Sequence, residues 1–289
     1  MKNIELLDSL ERSQIKAVFF DIDGTLVNKD HAISLQTRHA INELIKQNIT
    51  VSLATGRPYF GATQIMSELG VNGPSLFYAG ALIVEPHQGT PLFSKSIEPK
   101  VLQTLIEEVS RKQLYCELYT HSDYYISQAS KFADIHREYL HRSPQIVPFD
   151  KLLETQSILK VGFTVERGSP QEMALRETLA RFSTLQFATA AGASHPHLLW
   201  GSATHKDASR ENAFKFLTEL MNISPKEAIA FGDGESDIPF LKLAGIGIAM
   251  GNSPESVKNA ALIVTKSVDS DGVPYAILRL LSEANKPLL

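Results

Sequence analysis

Cysteine is almost absent from this sequence of 289 residues, since Cys116 is the only one and no disulfide can form within the chain. A chain without disulfides is compatible with a reducing compartment. Long apolar runs are also absent, and none approaches the ~20 residues that a transmembrane helix needs. The N-terminal stretch M-K-N-I-E-L-L-D-S-L-E-R-S-Q is acidic and amphipathic, and it lacks the basic start and apolar middle of a secretory signal. We therefore expect a cytoplasmic, soluble protein with no membrane partner.

An excess of positive charge is missing as well. The chain has 28 Lys and Arg against 32 Asp and Glu, a formal net charge of -4 and a pI of about 6.1. This balance does not suggest the basic footprint of a nucleic-acid-binding protein, and no run of Lys or Arg suggests a membrane surface. With 43% hydrophobic residues, the chain can bury a full core in one or two domains. We expect no nucleic-acid partner, and a monomer and a homodimer both remain open.

Both ends of the chain contain short apolar runs that alternate with helical periodicity. Residues 15–20 are a predicted buried strand, Ser34 a helix N-cap, and residues 50–54 the next strand. The pattern returns late in the chain, where one helix and three strands are predicted at 206–221, 228–231, 246–249 and 262–265. This β-α-β-α order predicts a parallel sheet with helices on both faces.

The middle of the chain, from about residue 84 to residue 196, has a different pattern. Its predicted strands are aromatic and alternating, which favours an antiparallel sheet with helices on one face. These strands lie at 115–119, 124–126 and 159–165, and the two helices lie at 99–112 and after the capping sequence that begins at Ser169. We expect the tyrosines of this region to pack the sheet, with the substrate pocket as the alternative for one of them: Tyr115, Tyr119, Tyr124 or Tyr125.

The two patterns together predict an α/β protein, in which a Rossmann-like parallel sheet core is interrupted by an inserted α+β domain. The predicted core comprises residues 1–84 and 197–289, and the predicted insert comprises residues 85–196.

Two carboxylates one residue apart, Asp21 and Asp23, directly follow the first predicted strand. Open α/β sheets bind ligands at the carboxyl ends of their strands, and residues i and i+2 of an extended segment point the same way. Both acids can therefore face one site, where a hard divalent cation such as Mg²⁺ would relieve their repulsion. Gly24 allows a sharp turn after them. Taken alone, the pair also fits a solvated loop or a helix cap.

The complete string F-F-D-I-D-G-T-L-V, residues 19–27, resembles the first signature of the haloacid dehalogenase superfamily, whose members mostly move phosphoryl groups. L-A-T-G-R-P, residues 53–58, resembles the second signature, and Lys206 stands where the lysine of the third is expected. F-G-D-G-E-S-D, residues 231–237, resembles the acidic fourth signature. The segment A-G-I-G-I-A-M-G-N-S-P-E-S-V-K-N-A-A, residues 244–261, resembles the Cof-type subfamily, whose members carry a large class II (subclass B) cap between the second and third signatures.

The resemblance implies a role for each aspartate. Asp21 would be the nucleophile that forms an aspartyl-phosphate, and Asp23 would be the acid for the leaving oxygen and then the base for water. Mg²⁺ would be held by Asp21, by Asp23 through its backbone carbonyl, and by Asp233. Lys206 would act with the metal to offset the repulsion between an anionic nucleophile and an anionic phosphate.

The other signature residues are expected around the phosphate. Thr55, the backbone N–H of Gly56, and Ser236 would bind phosphate oxygens. Asp237 would not bind the phosphate or the metal directly, and would instead orient Lys206 or a water bound to the metal. The resemblance thus implies a Mg²⁺-dependent phosphatase, a phosphoric monoester hydrolase acting on a small phosphorylated metabolite such as a sugar phosphate.

Three positions depart from the family pattern. Ser236 stands where the fourth signature usually has Asn, Ala79 stands where a family segment usually has Asn, and Asp207 follows Lys206 where Gly is common. These departures keep open a catalytically weak, phosphate-binding regulator. The shared core also keeps open a phosphomutase or phosphotransferase, which would move the phosphoryl group to a second hydroxyl instead of to water.

Overall fold

In the structure, a computed structural model, residues 1–9, 14–191 and 195–282 are described. The strands of this part, β1 to β14 in chain order, are Ala17–Phe20, Thr50–Leu53, Ser75–Phe77, Leu82–Val84, Pro91–Ser94, Cys116–Tyr119, Tyr124–Ile126, Gln145–Ile146, Lys160–Glu166, Leu185–Ala191, Leu198–His205, Ala228–Gly232, Ile246–Ala249 and Ile263–Val264. The α-helices, α1 to α10, are Leu35–Lys46, Thr63–Leu69, Pro99–Arg111, Lys131–Leu140, Phe149–Thr155, Pro170–Leu179, Arg210–Leu220, Ile238–Leu243, Glu255–Ala260 and Gly272–Leu281. None of these helices has the length and apolar character needed to cross a membrane.

The core is a five-stranded parallel sheet with the strand order β14-β13-β12-β1-β2. Phe20 of β1 lies beside Leu53 of β2 on one side and Phe231 of β12 on the other, so these three strands end at one level. Parallel strands bring their carboxyl ends to one edge, and this edge carries the signature residues. The predicted Rossmann-like parallel core is confirmed.

Helices cover both faces of the core sheet. On one face, Val18 and Phe20 of β1 belong to an apolar cluster that includes residues of α1 and α10. On the other face, Ala17 and Phe19 belong to a cluster with residues of α7 and α8. Because both faces are buried, every residue of β1 is apolar, as is typical of a central parallel strand.

The inserted domain is built on a six-stranded sheet with the order β10-β11-β9-β6-β7-β8. Its strand pairs are antiparallel except for β7 and β8, which run parallel. Helices α3, α5 and α6 bury apolar residues against this sheet, in agreement with an α+β insert. Helix α4 is absent from the sequence prediction, and its residues His136, Tyr139 and Leu140 line a cavity between the insert and the core. The insert therefore also has a helix on the side that meets the core.

Strand pairing bears on the domain boundaries predicted after residues 84 and 196. Strand β5 pairs with β4 in a small antiparallel sheet, β3-β4-β5, which is joined to the end of β2 by a bridge between Ala54 and Leu76. Strand β11 pairs with β9 and β10 along its whole length, so it belongs to the sheet of the insert. We therefore propose boundaries near residues 95 and 205.

Candidate active site

Asp21 directly follows β1 and is buried, with 5% of its surface exposed. Its backbone N–H donates to the carbonyl oxygen of Phe231 at 3.0 Å, which continues the pairing of β1 with β12. The chain then turns at Gly24, whose φ of 79° lies in the left-handed region. A Cβ at Gly24 would lie 2.2 Å from Oδ2 of Asp233, so glycine is required for this close approach to the carboxylate.

Three carboxylates meet at this edge of the sheet. Oxygen atoms of Asp21, Asp233 and Asp237 lie within 4.8 Å of one another. Burial, followed by repulsion from Asp237, raises the pKa of Asp21 well above its usual range. The same two causes raise the pKa of Asp233 to about 7. The cluster offers oxygen donors only, and the repulsion among its carboxylates favours a bound hard divalent cation.

Asp237 is held by the protein itself. Its Oδ2 accepts hydrogen bonds of 2.9 Å from the backbone N–H groups of Asp233 and Gly234, and its Oδ1 binds the guanidinium of Arg210. These contacts leave Asp21 and Asp233 as the carboxylates of the cluster that can bind a metal. They also join Asp237 to Arg210, and not to Lys206, which the sequence analysis expected Asp237 to orient.

Arg210, the first residue of α7, supplies positive charge to the cluster. Both of its terminal nitrogens donate to Oδ1 of Asp21 at 3.1 Å, and Nη1 also donates to the carbonyl oxygen of Ala54 at 2.6 Å. A further charged contact joins Nη1 to Asp237. Because the guanidinium is buried among these acceptors, it offsets part of the negative charge of the site.

Lys206 does not occupy the position expected of it. It is exposed, lies in the loop after β11, and does not line the cavity described below. Helix α7 begins only at Arg210, because the Ser209 hydroxyl accepts the backbone N–H of Asn212 at 3.1 Å and caps the helix there. We therefore correct the assignment, and Arg210 takes the place expected of the lysine of the third signature.

Asp23 is bonded to residues of both domains. Arg57 binds its carboxylate through two hydrogen bonds, from Nε to Oδ2 at 2.8 Å and from Nη2 to Oδ1 at 2.5 Å. Tyr139 of helix α4 donates to the same Oδ2 at 3.0 Å, and its ring centre lies 4.9 Å from the guanidinium carbon. The Asp23 side chain nevertheless keeps 42% of its surface exposed, so it can still be reached from the cavity.

The residues expected to bind phosphate lie beside these carboxylates. Thr55 is buried, and its Oγ1 accepts the backbone N–H of Arg57 at 3.1 Å. A Cβ at Gly56 would meet no atom within 4 Å, so the space beside its backbone is open. Ser236 is exposed at the end of the acidic signature.

A cavity of about 580 Å³ lies between these core residues and the insert. A cavity of this size accommodates a small-molecule ligand. It brings together all of the predicted site residues except Lys206, namely Asp21, Asp23, Thr55, Gly56, Asp233, Ser236 and Asp237.

Sequence comparison connects this site with a family. A family model described as haloacid dehalogenase-like hydrolase matches residues 18–277. The chain belongs to the haloacid dehalogenase-like hydrolase family. The Cof-type resemblance of the motifs is thereby confirmed.

Relatives of this hydrolase extend over nearly the whole chain. A Haemophilus influenzae protein with a provisional phosphatase name is 30% identical over 261 residues, which cover 89% of this chain and 95% of that protein. The 5-amino-6-(5-phospho-D-ribitylamino)uracil phosphatase YwtE of Bacillus subtilis is 25% identical over 299 residues, which cover 93% of this chain and 99% of that protein. The crystal structure of a haloacid dehalogenase-like hydrolase from Bacteroides thetaiotaomicron is similar with a TM-score of 0.80 at 25% identity, over 92% of this chain and 99% of that one.

Sequence reasoning missed several polar residues of this haloacid dehalogenase-like hydrolase. Arg57 lies in the second signature and Asn252 lies in the Cof-type segment, so the motifs themselves could have indicated both residues. Asn252 donates from Nδ2 to the Gly24 carbonyl oxygen at 2.9 Å and to Oδ2 of Asp233 at 3.3 Å, which fixes that carboxylate. Tyr139 lies in an insert helix that the sequence prediction omitted, and no motif indicated its role.

A further buried carboxylate, Glu117, lies in the insert behind residues that line the cavity. Glu117 accepts hydrogen bonds of 2.5 Å from the hydroxyls of Tyr115 and Tyr119, and Nδ1 of His136 lies 2.7 Å from its Oε2. Tyr119 and His136 both line the cavity. Of the four tyrosines considered for the substrate pocket, Tyr119 is the one that lines the cavity. The Tyr124 hydroxyl instead donates to a carbonyl oxygen within the insert.

Proposed function

We propose that this protein is a Mg²⁺-dependent phosphatase that hydrolyses a small phosphorylated metabolite, a sugar phosphate or similar phosphomonoester, through an aspartyl-phosphate on Asp21. The observation that carries the proposal is the position of Asp21 at the cavity, near both the guanidinium of Arg210 and the carboxylate of Asp233. Membership of a hydrolase family and the phosphatase names of relatives support a phosphoric monoester hydrolase. The relative YwtE is named for a phosphorylated ribityl compound, which supports a substrate of similar size.

Arg210 selects the oxygen of Asp21 that attacks. Its two hydrogen bonds to this residue both reach Oδ1, and no hydrogen bond to Oδ2 comes from the described residues. Oδ2 is therefore the nucleophile, and it bonds to phosphorus while the bond between phosphorus and the leaving oxygen breaks. Arg210 also offsets negative charge on the transferring phosphoryl group.

Asp23 acts first as an acid and then as a base. Its carboxyl gives a proton to the leaving oxygen, and its carboxylate later takes a proton from the water that hydrolyses the aspartyl-phosphate. Arg57 and Tyr139 orient this side chain toward the cavity. The two carboxylates thus divide nucleophilic attack and proton transfer between them.

Asp21 and Asp233, with the backbone carbonyl of Asp23, would hold Mg²⁺. When bound, the ion supplies positive charge that lets an anionic nucleophile approach an anionic phosphate. The oxygen-only donor set and the repulsion that raises the carboxylate pKa values both fit such an ion. The residues proposed to bind the phosphate oxygens are Thr55, Gly56 and Ser236.

Phosphate release tests the proposal. We expect the protein to release phosphate from p-nitrophenyl phosphate and from members of a panel of sugar phosphates when Mg²⁺ is present, and to release none after chelation. Mg²⁺ should also raise the melting temperature, because a ligand that binds only the folded state stabilises it. Asp233→Asn should lose most of this shift, whereas the exposed control Asp30→Asn should keep it.

Two outcomes of this experiment would contradict the proposal. Binding of Mg²⁺ and phosphate, without release of phosphate from any ester, would favour the catalytically weak, phosphate-binding regulator. Transfer of the phosphoryl group to a sugar hydroxyl, detected as a phosphorylated acceptor without free phosphate, would favour the phosphotransferase.

The Tyr139 hydroxyl is expected to help close the insert over the substrate. Tyr139→Phe removes a hydrogen bond to the charged carboxylate of Asp23, and such bonds contribute about 1.5–3 kcal/mol. We expect kcat/KM for a sugar phosphate to fall roughly tenfold, which corresponds to the lower end of that range. The control Tyr275→Phe also removes a hydroxyl contact, but one that lies outside the cavity, and should leave kcat/KM unchanged. Equal values for the two variants would show that the Tyr139 contact does not contribute to turnover.

A further inference from the structure

A lysine without a counter-ion faces the cavity from the insert. Lys160 is the first residue of β9, and it lines the cavity, whereas Val161 and Phe163 at alternating positions belong to the apolar core of the insert. Among the described residues, no hydrogen bond or salt bridge reaches its ammonium group. The contact that the structure does show is with the ring of Tyr119, whose centre lies 5.1 Å from Nζ.

The nearest acidic group does not neutralise this lysine directly. The carboxylate of Glu117 is already bound by Tyr115, Tyr119 and His136, and it forms no salt bridge with Lys160. Burial lowers the pKa of Lys160 to about 8, and the charge of Glu117 opposes this shift only in part. The side chain is therefore still largely protonated at pH 7, and its positive charge is open to a ligand.

A second donor on the same side also lacks an acceptor. The indole Nε1 of Trp200 in β11 is buried, and within the described residues it has no hydrogen-bond partner. The ring is held edge-on by His136 and Tyr139, at centre distances of 4.8 and 5.4 Å. Trp200 lines the same cavity as Lys160. Buried donors are normally paired, so the indole N–H indicates an acceptor supplied by the ligand, and the half-buried ammonium of Lys160 adds a positive charge to the same cavity.

We propose that Lys160 binds a second anionic group on the leaving portion of the substrate, with the indole N–H of Trp200 as a further donor to the substrate in the same cavity. This inference rests on the proposed phosphatase function, because it concerns the part of the substrate that departs from phosphorus. The second anion is a carboxylate or a phosphate, since both are negatively charged acceptors that suit an ammonium and an N–H donor. The substrate class is thus a phosphorylated sugar acid or a sugar bisphosphate, in preference to a phosphate of a neutral sugar.

Matched pairs of esters test the subsite. We would measure kcat/KM for 6-phosphogluconate against glucose 6-phosphate, and for fructose 1,6-bisphosphate against fructose 6-phosphate. The wild type should favour the acidic member of at least one pair by about tenfold or more, and the pair that shows the preference identifies a carboxylate or a phosphate. Lys160→Met should abolish this preference, Lys160→Arg should retain most of it, and the exposed insert variant Lys151→Met should leave it unchanged.

Equal kcat/KM within both pairs for the wild type, or a preference that survives in Lys160→Met, would overturn the subsite. Release of no phosphate from any ester, p-nitrophenyl phosphate included, would instead reject the phosphatase function. In that case, titration calorimetry measures ester binding to the Asp21→Asn variant with and without Lys160→Met, which tests the subsite independently of phosphate release. Lys160→Met must then weaken binding of the acidic member of at least one pair about tenfold more than binding of the other member, and an equal effect on both members of both pairs would overturn the inference.

Discussion

Asp21→Asn is expected to lower metal-dependent phosphate release by about 10⁴-fold or more, because an amide cannot attack phosphorus and the loss of a nucleophile has at least this effect in well-studied enzymes. The variant should remain folded. Burial and repulsion from Asp237 raise the pKa of Asp21, so its ionised form is unfavourable in the folded protein without metal. A neutral side chain removes this cost, and the melting temperature in chelator should be unchanged or higher.

Three measurements distinguish the loss of the nucleophile from a general loss of structure. Phosphate release from p-nitrophenyl phosphate gives the rate, and differential scanning fluorimetry gives the melting temperature. Mass spectrometry of acid-quenched wild-type protein should find phosphate on the peptide that contains Asp21. The control Asp30→Asn should retain full activity, since that side chain is exposed and does not line the cavity. A rate above about one hundredth of wild type for Asp21→Asn would exclude this residue as the nucleophile.

Much of the core site was accessible from the sequence because its signals are local. The apolar run at residues 15–20 is followed at once by Asp21 and Asp23, and the strand forms at Ala17–Phe20. Parallel pairing then brings the ends of β1, β2 and β12 to one edge without any further information. That these three strands are neighbours was not given by the local pattern, and the resemblance to the four signatures is what placed their following residues in one site.

The insert was less predictable, because its cavity-facing residues are polar, aromatic or small. Helix α4 buries Ala133, His136 and Leu140 at helical spacing and directs Tyr139 to the core, so part of its buried face is polar or aromatic and an apolar pattern does not mark it. Strand β11 carries Gly201 and Ser202 at the cavity, which weakens its alternation. The hydrogen bond from Tyr139 to Asp23 also joins residues 116 positions apart, and local patterns do not encode such a contact.

The assignment of Lys206 was wrong for a different reason. The predicted helix began at residue 206, whereas α7 begins at Arg210. The sequence contains the necessary signal, because Ser209 is a favourable N-cap and its hydroxyl does cap α7. Using that cap would have placed Arg210, and not Lys206, at the head of the helix. The capping residue therefore carried more information about which cation contacts Asp21 and Asp237 than the identity of the nearest lysine.

Arg210→Met is expected to lower the free energy of unfolding by about 3–5 kcal/mol, because it leaves the buried carboxylates of Asp21 and Asp237 without their cation. Phosphate release should fall by roughly 100-fold or more, since charge on the transferring phosphoryl group is no longer offset. Arg210→Lys should recover only part of both losses, because a single ammonium cannot reproduce the fork that binds Asp21, Asp237 and the Ala54 carbonyl. The matched control Lys206→Met should change neither quantity.

The loss of stability in Arg210→Met should also depend on pH in one direction. Without the guanidinium, the pKa values of Asp21 and Asp237 rise further, so the folded variant holds protons at pH values where an unfolded chain, with carboxyl pKa values near ~4, has released them. Its free energy of unfolding relative to wild type should therefore fall as the pH rises from about 5 to about 8. Urea unfolding in chelator at the two pH values measures this difference. Equal destabilisation at both would mean that another group neutralises the carboxylates, and an activity loss in Lys206→Met that matches Arg210→Met would return the catalytic cation to Lys206.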